Sequence, residues 1–358
     1  MGRGRGGLGY NPGSINTTPG TPMSIDQLAV IAQAMVAPGK GIIAIDESTA
    51  TIKKRFDGVG IECTEENRRA YREMLLGTPK LGDYISGAIL YDETLRQSTK
   101  AGVPFTKLMM DSGILPGIKV DMGAKPLAGF PGEVVTEGLD GLRERLKEYA
   151  RLGAKFAKWR AVITIGEDAP SGTCIDSNCH ALARYAALCQ EAGIVPMVEP
   201  EVLMDGEHDI DTCYEITEVT LRSLFGALYE HNVMLEGTIL KASMVVSGKD
   251  CPDQAGIEEV AEMTLRCLKS AVPASLTGIV FLSGGQSDEN ATAHLDAMNR
   301  MGGNPWPLSF SYGRAMQSAA LKTWSKDLTG NIASAQQTVY ARAKANGLAA
   351  LGKWTKGG

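Results

Sequence analysis

Eight short runs of β-forming residues recur along the chain, separated by longer stretches of helical period, and this alternation limits the fold more tightly than any other feature. The runs occupy residues 41–47, 84–91, 117–122, 156–165, 194–202, 234–245, 277–285 and 306–313. Between them, apolar spacing predicts helices over 136–152, 175–192, 211–231, 257–271 and 287–301, with a last one over 331–348. No linker rich in Pro, Gly and Ser interrupts residues 24–358, which predicts a single α/β domain, a (β/α)8 TIM barrel. A doubly wound open sheet is the competing arrangement of the same elements. Residues 1–23 are mostly Gly, Pro, Ser, Thr and Asn with little periodicity, and read as a flexible N-terminal extension. Gly2, Gly4 and Gly7 match G-x-G-x-x-G there, but no strand precedes them and no helix follows, so no dinucleotide site is expected.

Composition removes several function classes. Against 36 Lys and Arg stand 41 Asp and Glu, a formal charge of −5, whereas nucleic-acid binding draws on a surplus of clustered cations; no nucleic-acid partner is expected. No run of 18 apolar residues occurs, so neither a membrane span nor a secretory signal is expected. The setting expected is cytoplasmic, with a plastid as the second choice because Arg3 and Arg5 precede the first acid, Asp26. Seven cysteines without a C-x-x-C pair predict reduced thiols. The four histidines include no H-x-x-x-H pair, so neither a metal nor a cofactor is expected to carry the chemistry.

A strand buried on both faces excludes charge, yet charged and hydroxyl residues gather at the carboxyl ends of nearly every run. They are Asp46, Glu93, Lys119, Lys158 with Arg160, Glu199 with Glu201, Lys241, Ser283, and Ser311 with Arg314. In a barrel these ends share one rim, where barrel enzymes keep their chemistry. Period two puts Lys158 and Arg160, and likewise Glu199 and Glu201, on one side of their strands, which can be the lumen. A purely stabilising layer of salt bridges would use the same residues, but explains their gathering at one end less well. Three lysines among carboxylates suggest an amine whose pKa falls through crowding and desolvation, free to attack a carbonyl. Lys241, behind the apolar run 237–240, is the best nucleophile, unless it merely pairs with Glu199 or Glu236; Asp46, Glu199 and Glu201 are then proton carriers. Two loops suit phosphate. Ser283-Gly284-Gly285 lets backbone amides approach an anion, and Ser309-Phe310-Ser311-Tyr312-Gly313-Arg314 adds a guanidinium.

With these residues in place, the chain resembles the class I fructose-1,6-bisphosphate aldolases from Ile25 to Trp354. The resemblance is carried by GKGIIAIDEST, GIKVD, FAKWR, ARYA, GIVPMVEPE, LEGTILK, FLSGGQS and FSYGRA. It implies that Lys241 carries a Schiff base, that Glu199 with Glu201 close by handles its protons, and that Lys158 holds and polarises the substrate. It further implies that Asp46 assists removal of the C4 hydroxyl proton as C3–C4 breaks. Ser283, Gly284, Gly313 and Arg314, with Gly285 and Ser311 beside them, match a cradle for the C1 phosphate; Thr51, Lys119 and Arg160 match groups at the far end of the sugar. The implied reaction is reversible cleavage of fructose 1,6-bisphosphate into dihydroxyacetone phosphate and glyceraldehyde 3-phosphate, in glycolysis and gluconeogenesis, without a metal. The implied partners are small sugar phosphates, and the implied assembly is a homo-oligomer, a tetramer. Three departures stand out: Ala242 where proline commonly follows the Schiff-base lysine, Thr51 where serine is frequent, and no tyrosine in the closing LGKWTKGG, where relatives often carry one. Two other readings stay open: another Schiff-base barrel aldolase acting on monophosphates, and a non-catalytic scaffold.

Overall fold

The structure, a computed structural model, describes residues 25–356. The expected extension over residues 1–23 lies outside them. In chain order the elements are α1 (Ile25–Met35), β1 (Gly41–Ile45), α2 (Thr49–Asp57), α3 (Glu65–Leu76), β2 (Ile85–Leu90), α4 (Asp92–Arg96), α5 (Phe105–Asp111) and β3 (Leu115–Lys119). A small hairpin follows, β4 (Ala124–Pro126) and β5 (Val134–Thr136), then α6 (Leu142–Arg151), β6 (Phe156–Ile163), α7 (Gly172–Glu191), β7 (Val195–Val202) and α8 (Ile210–Glu230). The chain continues through β8 (Ile239–Ala242), α9 (Ile257–Ala271), β9 (Gly278–Phe281), α10 (Asp288–Met301), β10 (Leu308–Tyr312), α11 (Arg314–Trp324) and α12 (Ile332–Ala349).

Strands β1, β2, β3, β6, β7, β8, β9 and β10 close in that order into a parallel barrel, so the (β/α)8 expectation holds and the open sheet does not. Each of the eight sequence runs supplies one strand. Two boundaries differ most. The helix expected from residue 136 starts at Leu142, because the β-branched Val134, Val135 and Thr136 pair antiparallel with Ala124–Pro126, and the Thr136 hydroxyl donates to Arg160 O at 2.8 Å. The run at 234–245 opens with a 3-10 turn at Leu235–Gly237, leaving only Ile239–Ala242 as strand. The seven cysteines are free thiols, all but Cys63 buried.

Alternation along each strand divides the core in two. Outward residues such as Ile43, Trp159, Val198, Leu240 and Phe281 join the shell between barrel and helices. Inward residues at the amino end, Ile42, Leu115, Phe156, Val195 and Ile239, form a separate cluster with Leu28, Ile31, Ala32 and Met35 of α1. Helix α1 thus stoppers the amino end; the Ser86 hydroxyl at the start of β2 donates to Met35 O at 2.6 Å. One turn further along, the same inward positions become charged: Lys158 and Arg160 follow Phe156, Glu199 and Glu201 follow Met197, and Lys241 follows Ile239. The Tyr185 hydroxyl of α7 donates to Ala157 O (2.6 Å) and accepts from the Met197 amide (3.2 Å), tying β6 to β7 just below Lys158 and Glu199.

The inner floor depends on a glycine. A Cβ at Gly117 of β3 would stand 2.2 Å from the Phe156 ring. Gly117→Ala should therefore destabilise the protein by about 1–3 kcal/mol through overpacking. In Gly117→Ala/Phe156→Leu the loss should fall below the sum of the single variants, as measured by denaturant unfolding; strict additivity would contradict this packing.

Candidate active site

At the carboxyl ends of the strands a cavity of about 830 Å³ opens, and its deepest polar layer comes from β1, β6, β7 and β8. Glu199 stands at its centre. One carboxylate oxygen lies 3.0 Å from Lys241 Nζ and the other 3.0 Å from Lys158 Nζ. Lys158 Nζ also donates to Asp46 Oδ2 at 2.9 Å, making a chain of alternating charge, Lys241, Glu199, Lys158, Asp46. Lys158, Glu199 and Lys241 are each less than 5% exposed. In such surroundings charge persists only when paired. Glu201 pairs with Arg160, and Lys119 Nζ with Asp121 Oδ1 at 2.6 Å.

Pairing decides the ionisation. Burial alone would push the Asp46 carboxyl up, but Lys158, Lys241 and Lys119 pull it down to about 2. Glu199 moves the same way: burial opposes its charge, and Lys158, Lys241 and Arg160 more than compensate. For Lys158 the crowding of cations expected from the sequence does not lower the pKa. Burial and Arg160 push it down, yet Asp46, Glu199 and Asp121 hold it above its ordinary value. Both carboxylates are therefore charged at neutral pH, and Lys158 is a fixed cation between them.

The other expected residues divide into three groups. Thr51, Lys119 and Arg160 line one side of the mouth, Thr51 from the first turn of α2 where Ser48 caps the helix. Ser283, Gly284, Ser311, Gly313 and Arg314 line the other, on the loops after β9 and β10. Gly285 sits just outside the lining, where a Cβ would meet Arg314 Nη2 at 3.2 Å. Among the described residues, Ser311 Oγ is buried without a protein partner. Glu93 belongs elsewhere: it turns from the cavity to Arg68 of α3, accepting from Nε at 2.8 Å. Ser309 lies deeper along β10, donating to Lys40 O at 2.6 Å. Glu236 lies in the turn before β8, at the stoppered end, so Glu199 is the partner of Lys241.

Three cations in the cavity wall were not singled out from the sequence: Arg96, paired with Asp92 and Glu148, and two that bear on the expected residues. Arg55 follows Thr51 by one helical turn, on the same face of α2, and pairs with Glu47, the neighbour of Asp46. Arg145 donates to Val120 O at 2.8 Å, supporting the loop after β3. The spacing of Arg55 was the available signal, obscured by Lys53 and Lys54 beside it. Glu47 itself is buried against Arg72 (3.0 Å) and Gln317 (2.9 Å), which fastens the end of β1 that presents Asp46.

An amine, two ionised carboxylates and a fixed ammonium can form and resolve an imine without further groups, and the hydroxyls and cations around the mouth suit anionic ends. The likeness to known proteins points the same way. A family model described as fructose-bisphosphate aldolase class-I matches residues 27–358. The chain is 78% identical over 332 residues to a probable fructose-bisphosphate aldolase class 1 of Xanthomonas campestris pv. campestris, covering 93% of this chain and 99% of that one. It is 53% identical over 343 residues to fructose-bisphosphate aldolase 1 of Toxoplasma gondii, covering 94% of each. Among solved structures, a fructose-bisphosphate aldolase from Plasmodium falciparum, in complex with TRAP and a small-molecule inhibitor, superposes with a TM-score of 0.92 at 47% identity over 94% of this chain and 98% of that one. The chain belongs to the class I fructose-bisphosphate aldolase family, lyases that reversibly cleave fructose 1,6-bisphosphate into dihydroxyacetone phosphate and glyceraldehyde 3-phosphate through a lysine Schiff base.

Proposed function

We propose that Lys241 is the Schiff-base lysine and that Glu199, bridging Lys241 and Lys158, is its proton carrier; the bridge itself is the observation that carries this assignment. The Lys241 amine attacks the C2 ketone, and the nitrogen's proton passes by way of Glu199 to the C2 alkoxide, giving the carbinolamine; a second proton, drawn from solvent through Glu199, leaves with the C2 hydroxyl as water, and the iminium forms. Asp46, already ionised, takes the C4 hydroxyl proton. The C3–C4 bond breaks, its electron pair passing into the iminium to give an enamine, while C4 becomes the aldehyde carbon. Protonation of the enamine at C3 and hydrolysis of the imine free Lys241. Lys158 holds substrate oxygens and keeps Asp46 and Glu199 charged, while Glu201 with Arg160 borders the path.

The same reading gives the C1 phosphate to Ser283, Gly284, Gly285, Ser311, Gly313 and Arg314, and the far end of the sugar to Thr51, Lys119 and Arg160. Residues 24–358 act as one catalytic unit ahead of which residues 1–23 are an extension. By kinship the assembly is a homotetramer, and the setting cytoplasmic with a plastid as alternative. Among the described residues no helix is long and apolar enough to cross a membrane.

Three results are expected. Lys241→Met should lose activity by at least about 10⁴-fold, and borohydride with dihydroxyacetone phosphate should fix an adduct to Lys241 of the unmodified protein. Cleavage by the variant at the original rate would refute the assignment. Glu199→Gln should retain binding but slow turnover about 10²–10⁴-fold, the range for general acid and base groups, in single-turnover assays. For Asp46 the sign is that of a depressed carboxyl, from 3.8 to about 2. Its stabilisation, of about 2–3 kcal/mol, is complete above the unfolded value and disappears as pH falls through the folded one. The Tm gap between the protein and Asp46→Asn should stay constant from pH 8 to 5 and close between about pH 4 and 2.

A further inference from the structure

Lys249 lies beyond every residue considered so far, on the loop after β8, yet the fold delivers it to the loop after β9. Three backbone hydrogen bonds fasten its segment to the loop after β7: Gly248 N donates to His208 O at 2.7 Å, Lys249 N to Met204 O at 2.8 Å and Asp250 N to Gly206 O at 3.0 Å. The side chain then runs to Gly285. A Cβ built on Gly285 would touch Lys249 Nζ at 3.4 Å and Arg314 Nη2 at 3.2 Å, so an ammonium and a guanidinium converge on one point of the glycine turn. Gly284 and Gly285 both have positive φ, 59° and 108°, and among the described residues neither amide N–H meets a protein acceptor. Two cations beside two free amides form a concavity for an anion. Among the described residues the only acid paired with Lys249 is Asp205, at 2.6 Å, itself more than half exposed.

We propose that Lys249 is a further phosphate-binding residue, which leaves Asp205 to pair with the phosphate held by the Ser283–Gly285 turn and Arg314. The inference rests on reading that turn as the C1-phosphate cradle. It assigns Asp205 a role as the counter-charge that holds Lys249 in place and competes with the ligand. Such an ammonium, about two-fifths exposed, contributes a charge-assisted contact that salt weakens.

Steady-state cleavage of fructose 1,6-bisphosphate and competitive inhibition by inorganic phosphate test it in the full chain. Lys249→Met should raise KM and the phosphate Ki together by about tenfold with kcat within about twofold, and the gap should narrow as ionic strength rises. Lys249→Arg should restore both constants. Asp205→Asn should lower the phosphate Ki, an effect opposite in sign to that of a damaged loop. Arg314→Met serves as the cradle control. If it raises both constants while Lys249→Met leaves them unchanged, the role of Lys249 is overturned and the cradle stands. If neither variant moves the phosphate Ki, the cradle reading falls and the role of Lys249 falls with it.

Discussion

Everything at the mouth of the barrel depends on one carboxylate shared by two lysines. Glu199 is nearly inaccessible to water, and an unpaired charge there would cost several kcal/mol. Held at 3.0 Å from both Lys158 and Lys241, it stays charged, and both lysines stay in place. The bridge demands three adjacent strands in register. Pairing of Lys158 with Met197 along β6 and β7, and of Val198 with Leu240 along β7 and β8, sets Lys158 two residues short of Glu199 and Lys241 beside it, so both amines reach the one carboxylate. A slip of one residue would turn all of them into the helical shell. The barrel's register and the chemistry are thus one constraint.

The strands were legible because burial on both faces leaves a sequence trace: an apolar run that turns polar at one end. Asp46, Lys158, Glu199 and Lys241 announced themselves as charges at the close of such runs, and period two put Lys158 with Arg160, and Glu199 with Glu201, on a side that can be the lumen. Where the trace failed, contacts between distant segments decided. Glu93 closes its run much as Asp46 does, and only the arrival of Arg68 from α3 removes it from the cavity. Arg55 sits on a helix with three consecutive basic residues, and nothing in that run tells which one turns inward. The hairpin at Ala124–Thr136 was hidden because three residues per strand are too few to show a period.

The direction of the charge shift at Lys158 marks a limit of the same kind. Counting lysines at the rim suggests mutual repulsion and depressed pKa values. Geometry reverses the balance, since the carboxylates lie in contact with Lys158 whereas Arg160, the cation that opposes them, acts from further along the strand. Lys158 is thereby kept as a permanent charge. An overall charge of −5 is compatible with this, because the cations are concentrated where an anionic ligand enters.

The stopper formed by α1 bears on traffic as well as on packing. With Leu28, Ile31 and Met35 filling the amino end, the lumen is, among the described residues, a pit that opens at the carboxyl ends of the strands. Whatever leaves must leave past whatever remains, so the water lost in dehydration and the first product both depart through the doorway that admitted the sugar. A ligand seated at that doorway therefore obstructs exit and entry alike.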